Sequence, residues 1–267
     1  MPYLKFKGSR IFYTIQGEGQ PVIMIHGFLG SGKIFKDTCK FLSKKFQVII
    51  PDLPGHGKSE NIGYFHSMEM MAEGIKFLCD ILNVNKIILA GHSMGGYVSL
   101  AFAEYYPDML KGICLINSGP FEDDSQKKTD RKRAINLVKS NHNVFLGDTI
   151  KNLFSKEYFH LNLTAVRNAE AIAKNTSKRG IVAALEGMRE RKDRSFILKK
   201  MIQNCFFISG NHDKVITEKI RKKISDILPE SNIHLLMKSG HMSLLEEKTV
   251  VNTILEKIFS EIQISNP

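Results

Sequence analysis

Gly91-His92-Ser93-Met94-Gly95 stands between the apolar run Lys86-Ile87-Ile88-Leu89-Ala90 and the helical pattern Tyr97-Val98-Ser99-Leu100-Ala101-Phe102-Ala103. A G-x-S-x-G segment set between a strand and a helix places its serine on a strained turn, with the hydroxyl held above a sheet. Gly91 and Gly95 leave the room such a turn needs. Ser93 is therefore the candidate nucleophile. A serine hydroxyl alone is a poor nucleophile at neutral pH, so a histidine has to take its proton and later return it to the leaving group. Asp213 follows the apolar run Cys205-Phe206-Phe207-Ile208 and the turn Ser209-Gly210-Asn211-His212. His241 follows Ile233-His234-Leu235-Leu236-Met237 and the turn Lys238-Ser239-Gly240. Asp213 by itself reads equally well as a turn residue. The order serine, acid, histidine, each on a loop after a strand, is the one an acyl-transfer triad on this scaffold uses. In it His241 is general base and then general acid, and Asp213 fixes the imidazole tautomer.

Acyl transfer also requires backbone N–H groups aimed at the negative charge that develops on the carbonyl oxygen. Met94, next to the nucleophile, is one expected donor. Phe28, in the loop His26-Gly27-Phe28-Leu29-Gly30 after the strand Val22-Ile23-Met24-Ile25, is the other. His26 and Tyr97 are expected to line the substrate site, whereas His92 packs beside the turn. The segment Gly27-Phe28-Leu29-Gly30-Ser31-Gly32-Lys33-Ile34 also matches the phosphate-loop pattern up to its last position. There Ile34 stands in place of the hydroxyl that would bind magnesium, so an oxyanion loop is the better reading than a nucleotide site. His26, His56, His92, His212 and His241 fall on loops of the expected active face but lack ligand spacing such as H-E-x-x-H. The expected chemistry calls for no metal and no cofactor.

These groups need a scaffold. Strands are expected near residues 3–7, 10–15, 21–26, 46–51, 86–92, 111–117, 204–210 and 232–237, several of them short continuous apolar runs that suit parallel strands covered on both faces. Helices are expected at about 34–44, 67–82, 95–106, 215–228 and 245–262; the apolar stripe of the last, through Val250, Val251, Ile254, Leu255, Ile258 and Phe259, is a core contact. About eighty-five residues separate the strand ending near Asn117 from the one starting near Asn204, with helical patterning only. That is too long for a plain loop, so it reads as an inserted helical cap, with helices near 126–141, 147–158, 161–175 and 178–191. The expected architecture is α/β: a mostly parallel eight-stranded sheet flanked by helices. Its core is formed by residues 1–118 and 204–267, and the cap by 119–203.

The chain has 267 residues, a formal net charge of +11 and four cysteines. Length suits one catalytic unit with an insertion. Cys39, Cys79, Cys114 and Cys205 are scattered in apolar surroundings without a C-x-x-C pair, which reads as buried free thiols in a reducing compartment. With neither a signal-length nor a span-length apolar run, a cytoplasmic protein with no membrane partner is expected. Between Gly119 and Asn204, eighteen Lys and Arg stand against ten Asp and Glu, which is eight of the eleven net charges. Solvated helix faces account for most such runs. The sharper reading is a cap that attracts an anionic small-molecule ester or an acidic carrier protein. Nucleic acid is not expected as a partner, because no aromatics interleave with the charges and no nucleic-acid motif is present.

Taken together, His26-Gly27-Phe28, Asp52-Leu53-Pro54-Gly55-His56-Gly57-Lys58-Ser59, Gly91 to Gly96, Asp213 and Gly240-His241 resemble the α/β-hydrolase superfamily, over most of the chain. Members that are haloalkane dehalogenases or epoxide hydrolases use aspartate where Ser93 stands. The resemblance therefore implies a serine branch: carboxylesterases, lipases, thioesterases, C–C bond hydrolases, cofactor-free perhydrolases or some lyases. Ester hydrolysis is the commonest chemistry among these, and a carboxylesterase acting on a small or medium ester is the leading expectation. The oxyanion region and Asp52 to Ser59 also resemble the menaquinone-pathway lyase that makes a succinyl-cyclohexadiene carboxylate. That family places Tyr before the serine and Arg shortly after the following glycines; here His92 and Tyr97 stand in those places. Pimeloyl-carrier methyl esterases give a general precedent for a basic cap. A ligand receptor on the same fold, with little or no turnover, is the alternative of another class, but a pure binder has no chemical need for all three triad groups.

Overall fold

The computed structural model describes residues 2–265. The chain opens with β1 (Tyr3–Phe6), β2 (Ser9–Gln16) and β3 (Pro21–Ile25), followed by α1 (Lys36–Leu42), β4 (Gln47–Pro51) and α2 (Met68–Ile81). Next come β5 (Ile87–His92), α3 (Met94–Tyr105) and β6 (Leu110–Ile116). A run of helices then intervenes: α4 (Ser125–Ser140), α5 (His142–Lys151), α6 (Lys156–Leu161), α7 (Leu163–Ala173), α8 (Lys178–Arg189) and α9 (Ser195–Lys200). The chain returns through β7 (Cys205–Gly210), α10 (Glu218–Ser225), β8 (Ile233–Leu236), α11 (Ser243–Glu246) and α12 (Lys248–Ser265).

The eight strands form one sheet in the order β1-β2-β4-β3-β5-β6-β7-β8. The pairs β1/β2 and β2/β4 are antiparallel and the others parallel. Alternation along the central strands sorts the helices onto two faces. Val22, Met24, Ile88, Ala90, Cys114 and Ile116 pack with Cys39 and Leu42 of α1 and Val251, Leu255 and Ile258 of α12. Their neighbours Ile23, Ile25, Ile87, Leu89, Ile113 and Leu115 pack on the other side with Met71 and Ile75 of α2 and Val98 and Phe102 of α3. These strands are apolar at every step because both faces are covered, and each buried aliphatic side chain contributes roughly 1.5–3 kcal/mol.

From β3 the chain moves outward to β4, then crosses back over β3 to β5. The direction of winding thus reverses between β3 and β5, which opens a crevice at their carboxyl ends, the usual ligand position in such sheets. The loop holding Gly27 and Phe28 and the turn holding Ser93 both leave the sheet there.

All eight strands lie where the apolar runs place them. The helices differ in detail. The expected helix at 34–44 begins as a 3-10 turn, Gly32–Phe35, and the one at 245–262 is split into α11 and α12. Between β6 and β7 six helices stand where four are expected. Ser155 interrupts the expected 147–158 helix: its hydroxyl accepts the Tyr158 N–H at 3.3 Å and its own N–H donates to Glu246 Oε2 at 2.9 Å. The unexpected α9 starts where Asp193 Oδ1 accepts the N–H and hydroxyl of Ser195, at 2.8 and 2.6 Å, and is too short for a periodic signal. The insertion is tied to the helices flanking the sheet by Arg194, 2% exposed, which reaches Glu69 of α2 at 2.6 Å and Glu104 of α3 at 2.9 Å. The four cysteines are buried free thiols. Among the described residues no helix is long and apolar enough to cross a membrane.

Candidate active site

Ser93 closes β5 and begins α3 with φ 52° and ψ −118°, a left-handed backbone that costs a β-carbon-bearing residue on the order of 1–3 kcal/mol. The surroundings hold it there: its N–H donates to Ile116 O at 3.0 Å and its carbonyl accepts the Ser118 hydroxyl at 2.7 Å. Gly91 is required by close approach, since a β-carbon there would lie 2.5 Å from the Gly95 carbonyl carbon.

The three residues expected to act together, 28 to 148 positions apart in sequence, meet. His241 Nε2 is 2.8 Å from Ser93 Oγ, and His241 Nδ1 is 2.8 Å from Asp213 Oδ2. A carboxylate can only accept, so the Nδ1–H donates to Asp213 and leaves Nε2 to receive the serine proton. His241 is 2% exposed and Asp213 5%. Burial alone would raise the Asp213 carboxyl. The His241 charge and hydrogen bonds from His241, Asn117 and the Ile216 N–H overcome it and hold the pKa at about 2. The other oxygen, Oδ1, accepts the Val215 and Ile216 N–H groups at 2.7 and 2.9 Å.

The histidine loop is fixed from its main chain. Its N–H donates to Leu153 O of the insertion at 2.7 Å, and its carbonyl accepts His92 Nε2–H at 2.9 Å. Glu246 Oε1 takes the N–H groups of Gly240 and Met242 on either side, at 3.0 and 3.1 Å. His92 thus packs beside the turn and supports His241; burial, and then the nearby His241 charge, push its pKa down to about 3.

Asn117 escaped the sequence reading. Fully buried just past β6 at φ 47°, it donates through Nδ2 to Asp213 Oδ2 at 2.9 Å and to Gly240 O at 3.1 Å. Its Oδ1 accepts the Ser243 hydroxyl. One amide therefore ties the acid loop to the histidine loop. Asparagine adopts left-handed backbone more readily than most residues, but nothing in the linear order distinguishes this one from an ordinary turn.

At the expected oxyanion position, Gly30 N–H donates to Gly27 O at 3.0 Å and Leu29 takes φ 59°, so residues 27–30 form a tight turn beside the nucleophile. A β-carbon at Gly27 would lie 3.0 Å from Ser93 Cβ, so glycine lets the turn approach this closely. Phe28 lines the same cavity as Ser93, and Met94 opens α3, where first-turn N–H groups have no helical acceptor. The segment that resembles a phosphate loop is thus packed against the serine turn, with Ile34 buried.

His26 does not line the site, contrary to expectation. It is fully buried, and its Nε2 accepts the Leu53 N–H at 2.9 Å, leaving Nδ1–H to donate to Gly27 O at 2.8 Å. The main chain leaving β4 needs that acceptor, and burial pushes the imidazole pKa down to about 4, keeping it neutral. Tyr97, one helical turn beyond Ser93, does face the cavity.

The cavity encloses about 330 Å³. Ser93, His241 and Phe28 form its floor, and Phe145, Ile150, Leu185 and Met188 of the insertion wall it with apolar surface. Its charged lining residues all come from α4: Lys127, Asp130 and Arg131.

A family model described as alpha/beta hydrolase fold matches residues 20–248. An uncharacterised protein of Mycobacterium tuberculosis is 31% identical over 126 residues, which take in 46% of this chain and 37% of that protein's length. A Bacillus subtilis protein named as an uncharacterised hydrolase is 26% identical over 254 residues, 88% of this chain and 89% of its own. Among solved structures, a thermophilic esterase from Thermogutta terrifontis with malate bound superposes with a TM-score of 0.90 at 27% identity, covering 95% of this chain and 94% of that one.

Proposed function

The chain belongs to the α/β-hydrolase fold family, and within it we propose a serine hydrolase that cleaves a small or medium carboxylic ester through an acyl-enzyme. The observation that carries this reading is the continuous chain Asp213–His241–Ser93, with both links at 2.8 Å and the serine on the floor of an apolar cavity. Similarity to the Thermogutta terrifontis esterase over almost the whole chain supports the same class.

In the proposed reaction Ser93 Oγ attacks the ester carbonyl while its proton passes to His241 Nε2. The carbonyl electron pair moves onto oxygen, where the Phe28 and Met94 N–H groups stabilise it. Collapse of this adduct expels the alcohol, which takes the proton from His241, and leaves the acyl group on Ser93. Water, deprotonated by His241, attacks the acyl-enzyme; the acid departs and Ser93 recovers its proton. Asp213 remains ionised throughout and stabilises the imidazolium.

In this reading residues 119–203 act as a cap over the core formed by 1–118 and 204–267. Cap side chains supply most of the acyl wall and exclude water from the charges formed in the reaction. The direct test is a series of p-nitrophenyl esters from acetate to decanoate with wild type and Ser93→Ala side by side. Turnover confined to wild type, with an optimum at short to medium chains, is the expected result. Equal turnover by Ser93→Ala would remove the assignment, and no turnover of any ester by a folded, fluorophosphonate-resistant protein would favour the receptor alternative.

A further inference from the structure

Beside the catalytic cavity lies a second one of about 310 Å³, and the two share Tyr97, Lys127 and Val215 as a common wall. Their chemistry differs. The first is walled by apolar side chains, whereas Lys127, Arg191, Lys214, Lys219 and Lys223 converge on the second from four separate parts of the chain.

The acidic groups nearby leave most of that charge uncompensated. Glu122 is taken up by Lys128 at 3.5 Å, and Asp124 caps α4 by accepting the Lys127 N–H at 2.8 Å. Behind the wall, buried Asp123 serves two guanidinium groups at once, those of Arg131 and Arg191. One carboxylate against two cations leaves a positive charge inside the protein. Arg191 is only 6% exposed, its guanidinium lies 4.2 Å from the Tyr97 ring centroid, and its buried Nε–H has no acceptor among the described residues. Lys127, Lys214 and Lys219 form no ion pair among the described residues, and Lys223 rests 5.3 Å from the Phe121 ring centroid. Arginines of the insertion are largely spent on structure: Arg189 on Glu186 and Glu190, and Arg194 on Glu69 and Glu104. Of the five cations of the second cavity, Lys127 also lines the cavity that holds Ser93.

From this juxtaposition we propose that the natural substrate is an ester with one apolar half and one half bearing a carboxylate or phosphate, the apolar half seated in the cavity walled by Phe145, Leu185 and Met188 and the anion in the chamber of Lys127, Arg191, Lys214, Lys219 and Lys223. Tyr97 lines both cavities one helical turn from Ser93, so an ester with its carbonyl at Ser93 extends past Tyr97 to place its anion in the second. The inference rests on the ester-hydrolase reading and deepens it. Several convergent ammonium groups and a buried guanidinium recognise an anion by charge-assisted hydrogen bonds and raise its local concentration.

The experiment compares kcat/KM for matched pairs at low ionic strength. One pair is 4-hexanoyloxybenzoate and its neutral methyl ester, with the anion on the alcohol half. The other is 4-nitrophenyl hydrogen adipate and 4-nitrophenyl methyl adipate, with the anion on the acyl half. The expected result is a preference of about tenfold or more for the anionic member of at least one pair. That preference should shrink as salt is raised and fall to about threefold or less in the double variant Lys219→Gln/Lys223→Gln. Arg191 is left intact because it also packs on Tyr97 and pairs with buried Asp123, so its removal would disturb the wall of both cavities. The corresponding hexanoyloxyphenyl phosphate separates the two anions: a larger preference for it assigns phosphate, a smaller one carboxylate. Equal or faster hydrolysis of the neutral member in both pairs overturns the proposal while leaving the ester-hydrolase reading in place. Failure to hydrolyse any of the esters overturns both.

Discussion

Replacing Asn117 by alanine tests whether the acid has to be held as well as present. The substitution removes the Nδ2 bonds to Asp213 Oδ2 and Gly240 O and leaves the Ser243 hydroxyl without its acceptor. A hydrogen bond to a charged group is worth about 1.5–3 kcal/mol and a neutral one about 1 kcal/mol, so losing one of the first kind and two of the second should lower folding stability by about 3.5–5 kcal/mol. If the bond to Asp213 is expressed in the transition state, where the imidazolium leans on that carboxylate, kcat should fall about tenfold to hundredfold. KM should stay close to wild type, because Asn117 lies below the cavity and does not line it. Asn117→Asp is the sharper companion. It places a second carboxyl beside Asp213, and two buried carboxylates at that range share a proton, which blunts the orienting charge. Its kcat at neutral pH should lie below that of the alanine variant. Steady-state kinetics on a p-nitrophenyl ester, with thermal melts to establish folding, give both readouts. A folded Asn117→Ala with kcat within about twofold of wild type would refute the reasoning and reduce the residue to a structural tie.

Other consequences are equally open to measurement. His26, His56, His66 and His92 are pushed by burial down to about 4, 3, 4 and 3, below the ordinary value of 6.5. Their folded values lie under the unfolded ones, so the stability they contribute is fully present above about pH 6.5 and is lost as pH falls toward 4. Uptake of up to four protons on unfolding gives a slope of at most about 5 kcal/mol per pH unit in that window; melts at pH 7, 6 and 5 should show a steep fall, and a flat profile would contradict the buried neutral assignments. Ala134 of α4 lines the acyl cavity, so Ala134→Phe should shorten the preferred ester chain, read as a falling ratio of octanoate to acetate turnover; an unchanged ratio would remove α4 from the wall. Glu246→Gln weakens the acceptor for the Gly240 and Met242 N–H groups and should lower kcat severalfold, with thermal melts to check folding; wild-type kcat would show that the histidine loop needs no such clamp.

Much of this was legible in sequence because the central strands are buried on both faces and therefore read as uninterrupted apolar runs, each ending at a loop that carries chemistry. Ser93, Asp213 and His241 were found by their position after such runs. Helix ends within the insertion were harder to read, since they depend on single side chains: the Ser155 hydroxyl and the Asp193 carboxylate set boundaries that periodicity does not register. His26 was misplaced because its neighbours in sequence belong to the Gly27–Gly30 turn beside Ser93, while its ring is needed by the Leu53 amide 27 positions away. Asn117 and the Asp123–Arg131–Arg191 cluster were invisible for the same reason. Their partners lie on other elements, and only folding brings them together.

Acylation of Ser93 Oγ is the step from which the rest of the proposed reaction follows. Wild type and Ser93→Ala should be mixed with a slowly deacylating p-nitrophenyl ester, quenched in acid within the first turnover, and read by intact mass and peptide mapping. A mass increment equal to one acyl group on Ser93 of wild type, absent from Ser93→Ala, is the predicted result. Rapid release of nitrophenol without an adduct on Ser93, or an adduct on another residue that persists in the alanine variant, would contradict it.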